Sequence, residues 1–257
     1  MTKKERALLA VEALKKEYPG AVCSLEYQDP LQLLIATRLS AQCTDARVNL
    51  VTPALFARFP TLEAFCAGSE EEIAELIRSC GLYKTKARDI FAMCHVLRDS
   101  YNGVIPDTVD ELTKLPGVGR KTANLVVGDI YKKPAVVTDT HCIRITGRLG
   151  LTESNVPLKV EKDLRAVLPP EESNDFCHRT VLHGRAVCTA RNPKCALCCM
   201  KSFCKNPVNP MLQFPAAVSH LSAMPHIASV KAQRSSMPRV SLSPRVSLTV
   251  IFTLSLP

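Results

Sequence analysis

Tryptophan is absent from the 257 residues and aromatics make up only 5% of them, so aliphatic side chains must fill the one or two cores this length can bury. Long apolar runs are missing as well. Val246 to Leu256 is the one candidate, and it falls well short of the roughly 20 residues a membrane span needs, so no transmembrane segment is expected. No stretch alternates polar and apolar residues long enough to demand a sheet, which excludes a β architecture and leaves an all-α fold. A secretory leader is not expected: Met1-Thr2-Lys3-Lys4-Glu5-Arg6 runs straight into an amphipathic pattern without a long apolar stretch, and reduced thiols in a cytosol follow. Acidic residues are missing from the last third. Residues 1–175 hold 23 Lys+Arg against 24 Asp+Glu, while residues 176–257 hold 10 basic residues and no acid. The formal charge of +9 therefore belongs to the C-terminal third, which suits a polyanion contacted from one side.

What is present is a succession of helix signals up to about residue 185. Leu8, Leu9, Val11 and Leu14 form an apolar stripe on a first helix that ends near Tyr18-Pro19-Gly20. Asp29-Pro30 reads as an N-cap followed by proline at the first helical position, opening a helix through Leu31, Leu34, Ile35 and Leu39. Thr44-Asp45 and the boxes Ser69-Glu70-Glu71-Glu72 and Thr108-Val109-Asp110-Glu111 mark further starts, with Gly81 and Gly103 as stops. Asp139 can cap a helix through Ile143 and Leu149, another runs from about Val156 to Leu168, and a last one spans Phe176 to Gly184. About ten short helices are predicted. Past Asn206 the chain turns to Pro, Ser, Ala, Val and Arg without a helical stripe, and residues 207–257 are expected to be a disordered tail.

Two segments carry chemistry. In Leu115-Pro116-Gly117-Val118-Gly119 both glycines can take positive φ, so the chain can reverse tightly and point backbone N–H groups outward at the start of a helix, where a phosphate fits. Lys121 follows in the first helical turn, where the positive end of the helix dipole disfavours an ammonium. A partly neutral amine there could act as a nucleophile, although a lysine that contacts phosphate is the plainer reading of this residue alone, and a plain N-cap that of Asp139.

The second segment is a cluster of thiols. Of twelve cysteines, Cys23, Cys43, Cys66, Cys80, Cys94, Cys142 and Cys177 are scattered singly among apolar neighbours and read as small buried hydrophobes. Cys188, Cys195, Cys198 and Cys204 instead follow the spacing C-x6-C-x2-C-x5-C, four soft thiolates that argue for a metal centre, with a zinc site or unligated thiols the alternatives that spacing alone leaves open. Cys199 stands outside that pattern. Arg185, Arg191, Lys194, Lys201 and Lys205 surround the thiols; some would offset thiolate charge, while Arg191 and Lys194, in the loop between Cys188 and Cys195, can meet DNA phosphates.

Taken together, LPGVGRKTAN from residue 115, VVTDTHCIR from residue 136 and the four-cysteine spacing resemble the endonuclease III family of helix-hairpin-helix DNA glycosylases, over about residues 3–206. The segments LSAQCTD from residue 39 and GLYKTKA from residue 81 match the family's two lesion-facing loops. The resemblance implies two helical lobes, residues 22–134 with the hairpin and residues 1–21 plus 135–206 with a [4Fe–4S] cluster on Cys188, Cys195, Cys198 and Cys204. DNA would lie across the cleft between them.

It also implies a bifunctional DNA glycosylase and AP lyase of base excision repair that removes oxidised pyrimidines. The damaged nucleotide would be flipped out, with Gln42 and Leu82 filling the gap, and Gly117 and Gly119 would hold the DNA backbone. Lys121 would attack the sugar C1′ and displace the base, Asp139 would relay protons or stabilise positive charge on the sugar, and the Schiff base would cut the strand by β-elimination. The expected partner is double-stranded DNA with damaged pyrimidines or abasic sites. The protein would act as a monomer in a bacterial cytoplasm, at the nucleoid. The alternatives are a monofunctional mismatch glycosylase, against which Lys121 argues, and a non-catalytic helix-hairpin-helix DNA binder with a structural metal. His141 is expected on a helix surface.

Overall fold

A computed structural model describes residues 1–206 of the chain, so the expectation of a disordered tail lies outside the described residues. Within them there is helix and no strand, as the lack of alternation requires. The caps fall where the side-chain acceptors are. Helix α1 (Lys3–Glu17) opens on a reciprocal capping box of Thr2 and Glu5, and α2 (Pro30–Ser40) on Asp29, whose Oδ1 accepts from Gln32 N at 2.9 Å. Thr44 caps α3 (Asp45–Arg58), Thr61 caps α4 (Leu62–Ala67), and Ser69 with Glu72 boxes α5 (Glu70–Leu76). Then come α6 (Tyr83–Tyr101), α7 (Val109–Leu112) capped by Thr108, α8 (Arg120–Asp129), α9 (Thr140–Leu149) capped by Asp139, α10 (Pro157–Val167) and α11 (Ser173–Ala186).

Three details differ from the sequence reading. On α1 the buried stripe is Ala7, Ala10, Val11 and Leu14, while Leu8 and Leu9 face outward. The i, i+3, i+4, i+7 spacing selects that face, and two alanines let α1 lie close on its neighbours. Gly81 ends no helix: α5 stops at Leu76, and Gly81 instead precedes α6. Short α4, with Thr61 as its only start signal, was not foreseen.

Two sets of helices share one connected apolar core. In the first, α2 packs on α3, α6 and α8, α6 on α4 and α5, and α7 on α8. In the second, α1 packs on α10 and α11, and α11 on α9. Fully buried Leu33, Leu34 and Ile35 anchor α2 at the centre of the first set, each worth roughly 1.5–3 kcal/mol of burial. Contact between α8 and α11 joins the sets, and Gly128 makes it possible, because any Cβ there would fall on the side chain of Asn174.

Candidate active site and cysteine pocket

The hairpin between α7 and α8 rests on an ion pair. Arg38 donates to Asp89 Oδ2 from Nε at 3.1 Å and from Nη2 at 2.6 Å, tying α2 to α6. Gly117 sits directly over this pair at φ 73°, where a Cβ would come within 2.7 Å of Arg38 Nε and 2.8 Å of Asp89 Cβ. Both its conformation and its contact require glycine. Gly119 corrects the expectation that both glycines take positive φ: it is extended, at φ −90° and ψ 169°, with nothing within 4 Å of a Cβ. As N-cap it offers α8 no side chain, so the first N–H groups of that helix remain open to an anion.

Helix α8 is fixed from its other side. Glu161, buried on α10, accepts from Arg120 at 2.7 and 2.9 Å and from Arg165 at 3.1 Å, and Arg165 also reaches Asn124 Oδ1 at 2.9 Å. The backbone that carries Lys121 is thus held while its side chain is exposed. Asp139, half-buried, caps α9 by accepting from Cys142 N at 2.7 Å. Lys121 and Asp139 line the same cleft of about 290 Å³.

Two residues of this cleft stand elsewhere than the sequence suggests. Arg185 does not compensate the thiols; its Nη2 pairs with Asp45 Oδ2 at 2.8 Å, and Ser24 Oγ donates to the same oxygen at 2.8 Å. The separation of 140 residues between Arg185 and Asp45 leaves no local signal for the pair. His141 is not on an open helix surface but half-buried in the cleft wall, 3.1 Å from Arg144 Nη2, and burial pushes its pKa below the usual imidazole value. Gly184 leaves room for it, since a Cβ there would strike the imidazole.

Gln42 and Leu82 lie on two touching turns. Gln42 follows α2 at φ 54°, and Leu82 stands at the N-cap of α6 at φ 58°. Both are exposed, Leu82 by 59%, and a Cβ on Gly81 would lie 3.3 Å from the Gln42 carbonyl. Left-handed backbone at two non-glycine residues, one of them an exposed leucine, is uncommon and stored where surrounding structure enforces it.

Beyond α11, Cys188, Cys195, Cys198 and Cys204 line one small pocket with Arg148, Val187 and Pro193 among its walls. Arg148 of α9 donates to Cys188 Sγ at 3.2 Å, to Thr189 O at 2.8 Å and to Ala190 O at 2.9 Å, while Arg144 Nε donates to Cys188 O at 3.1 Å. Two arginines of one helix therefore shape this loop. The arrangement fits a cluster of anionic thiolates: four sulfurs, a facing guanidinium and partly apolar walls. The four cysteines border one cavity, as the four thiolate ligands of an iron–sulfur cluster do. Cys199 does not line the pocket; burial pushes its thiol up to about 11. Arg191 and Lys194 are exposed on the loop between Cys188 and Cys195.

Residues 35–170 match the model of the HhH-GPD superfamily of base excision DNA repair proteins, and residues 188–204 match the iron–sulfur binding domain of endonuclease III. Endonuclease III of Synechocystis sp. is 48% identical over 204 residues, 79% of this chain and 93% of that protein. The chain belongs to the endonuclease III family. Endonuclease III of Bacillus subtilis is 42% identical over 189 residues, 73% of this chain and 86% of its own length. Among solved structures, a trapped endonuclease III–DNA covalent intermediate superimposes with a TM-score of 0.76 at 43% identity, covering 80% of this chain and 98% of that one. A thermostable thymine-DNA glycosylase, at 22% identity and a TM-score of 0.71, shares the fold. As a member of the endonuclease III family, the protein is a DNA-binding base excision repair glycosylase and AP lyase with a [4Fe–4S] cluster. Among the described residues, no helix is long and apolar enough to cross a membrane.

Proposed function

We propose that Lys121 is the nucleophile and Asp139 its acid–base partner in the excision of oxidised pyrimidines from double-stranded DNA. The supporting observation is that the two side chains, one on the hairpin helix and one capping α9, line a single cleft. Lys121 Nζ attacks C1′ of the extruded nucleotide and the base departs; the C1′–O4′ bond of the sugar ring then opens, the proton lost from Nζ passing to O4′, and a Schiff base remains between enzyme and sugar. The iminium acidifies the hydrogen on C2′, and its removal expels the 3′ phosphate by β-elimination. Asp139 stabilises positive charge on the sugar and carries a proton between these steps. No redox step is required.

The remaining residues hold DNA in register. The amides about Gly117 and Gly119 bind a phosphate, Gln42 and Leu82 fill the gap left by the flipped nucleotide, and Arg191 and Lys194 bind the backbone beyond it. Cys188, Cys195, Cys198 and Cys204 hold the cluster, which supplies a rigid support for the Arg191–Lys194 loop. In this reading the division into a hairpin lobe, residues 22–134, and a cluster lobe, residues 1–21 plus 135–206, sets the DNA across the cleft. The enzyme works as a monomer at the bacterial nucleoid.

Incubating the protein with a duplex containing an abasic site and borohydride tests the central step. A covalent adduct formed by wild type and lost in Lys121→Ala is the expected result; wild type that forms no adduct overturns it.

A further inference from the structure

Of the seven cysteines that are single in sequence, four meet in pairs in space. Cys43 and Cys80 flank the point where their two turns touch, a Cβ on Gly81 lying 3.3 Å from the Gln42 carbonyl, and their thiols act on each other, as do those of Cys142 and Cys177 in the core beneath α9. The first pair differs from the second in its surroundings. Cys43 follows Gln42, is half-buried and borders the open cleft. Cys80, 1% exposed, lies behind it, two residues before Leu82. Both are pinned by backbone hydrogen bonds, Cys43 N to Ser40 O at 3.1 Å and Cys80 N to Ile77 O at 2.8 Å.

A buried cation lies near enough to these thiols for their charges to act on it. Lys86 is wholly buried, and its Nζ donates to Leu39 O at 2.8 Å, which uses one of three N–H groups. No carboxylate is among its influential neighbours. Burial lowers its pKa, and the like charge of Arg38 adds to that, against the thiolate forms of Cys43 and Cys80, the groups of opposite sign that act on it. A thiolate formed here would face that ammonium, while burial outweighs its pull at Cys80.

We propose that Cys43 and Cys80 form a reversible redox couple, a modification site at which a low-molecular-weight disulfide converts two thiols into one bond tying the Gln42 turn to the Leu82 turn. Cys43, open to the cleft, attacks one sulfur of the external disulfide and releases one thiolate. Cys80 then attacks the Cys43 sulfur of the mixed disulfide and releases the second. Two cysteine thiols are oxidised, one external disulfide is reduced, and the two cysteine protons pass to the released thiolates. Burial pushes the Cys80 thiol up to about 11, which suits the second, intramolecular role rather than the first. The turns already touch at Gly81 and the Gln42 carbonyl, so the bond fixes a contact that exists. Its effect on DNA rests on the proposed insertion of Gln42 and Leu82: turns locked together cannot adjust as the nucleotide leaves the stack.

Peptide mapping of holoenzyme treated with glutathione disulfide, with the cluster's visible absorption followed in parallel, tests the couple. The expected result is a Cys43–Cys80 cross-link with absorption retained. A stable glutathione adduct on Cys43 alone, or both thiols free, overturns it. In binding assays on an abasic duplex, the cross-linked enzyme should bind several-fold more weakly, recover with dithiothreitol, and show no such response in Cys80→Ala or, independently, in Cys43→Ala. A cross-linked enzyme that binds like the reduced one overturns the coupling to DNA. The insertion reading fails separately, if reduced Gln42→Ala and Leu82→Ala bind that duplex as wild type does, whatever the mapping finds.

Discussion

His178 Nε2 stands 2.7 Å from Asp129 Oδ1, inside the contact that joins the hairpin helix α8 to α11. Asn174 Nδ2 donates to the same oxygen at 2.7 Å. Burial alone would raise the Asp129 carboxyl, but the hydrogen bond and charge of His178, helped by Asn174, outweigh it and hold the group below its usual value. A carboxyl depressed in the folded state contributes stability above its unfolded pKa, near 3.8, and that contribution is lost as pH falls through the folded value. Acid unfolding followed by circular dichroism should therefore steepen below about pH 4. In Asp129→Asn that limb should flatten, and stability at neutral pH should fall by roughly 1–3 kcal/mol. Parallel acid curves for the two proteins would exclude the pair as a source of stability.

The two hairpin glycines should separate folding from binding. Gly117→Ala forces a side chain into left-handed backbone and onto the Arg38–Asp89 pair, at a cost on the order of 2–4 kcal/mol. Gly119→Ala meets nothing within 4 Å and keeps an allowed conformation, so only the N-cap preference, about 1 kcal/mol at most, is at stake. Thermal melting should drop for the first and barely move for the second. Affinity for duplex DNA should fall for the second nonetheless, because a methyl group would stand where the phosphate approaches. Equal affinity for wild type and Gly119→Ala would remove the hairpin from the interface.

Local chemistry in the chain foretold local structure. Asp29, Thr44, Ser69, Thr108 and Asp139 each cap the helix they precede, because a cap is decided within four residues. Helix α4 is not legible in the sequence, because one threonine before six residues is too little pattern to set apart. What depended on distant approach was hidden: the Arg185–Asp45 pair, His141 turned into the cleft against Gly184, and the meeting of Cys43 with Cys80. The roles of Gly117 and Gly119 looked alike in sequence, and diverge because only Gly117 lies on another element.

Asp139 caps α9 and, in the proposed reaction, assists Lys121, two tasks that one substitution can split. Its Oδ1 caps α9, and its charge faces the cleft it shares with Lys121. Asparagine retains a good cap and loses the charge, whereas alanine loses both. Asp139→Asn should keep its melting temperature and lose glycosylase rate; Asp139→Ala should also lose about 1 kcal/mol of stability. Lys121→Ala, at an exposed position, should change stability by no more than about 0.5 kcal/mol while abolishing borohydride trapping. Single-turnover rates beside melting curves decide it: an Asp139→Asn enzyme of full rate would leave the carboxylate as a cap alone.

Arg191 and Lys194 differ from the other bases near the thiols in what holds them. Arg144 and Arg148 spend their guanidinium groups on the carbonyls of Gly184, Cys188, Thr189 and Ala190, shaping the loop from beneath. Arg191 and Lys194 are exposed on its outer side, where a phosphate can reach them. If each neutralises one phosphate, replacing both by alanine should lower the slope of log affinity against log salt by about 1.8 for duplex DNA. The loss should be alike for damaged and undamaged sequences, since a phosphate contact carries no base information. The cluster absorption should persist, because neither residue lines the cysteine pocket. An unchanged salt slope would place DNA elsewhere, and a lost absorption band would mean that the pair supports the cluster rather than the nucleic acid.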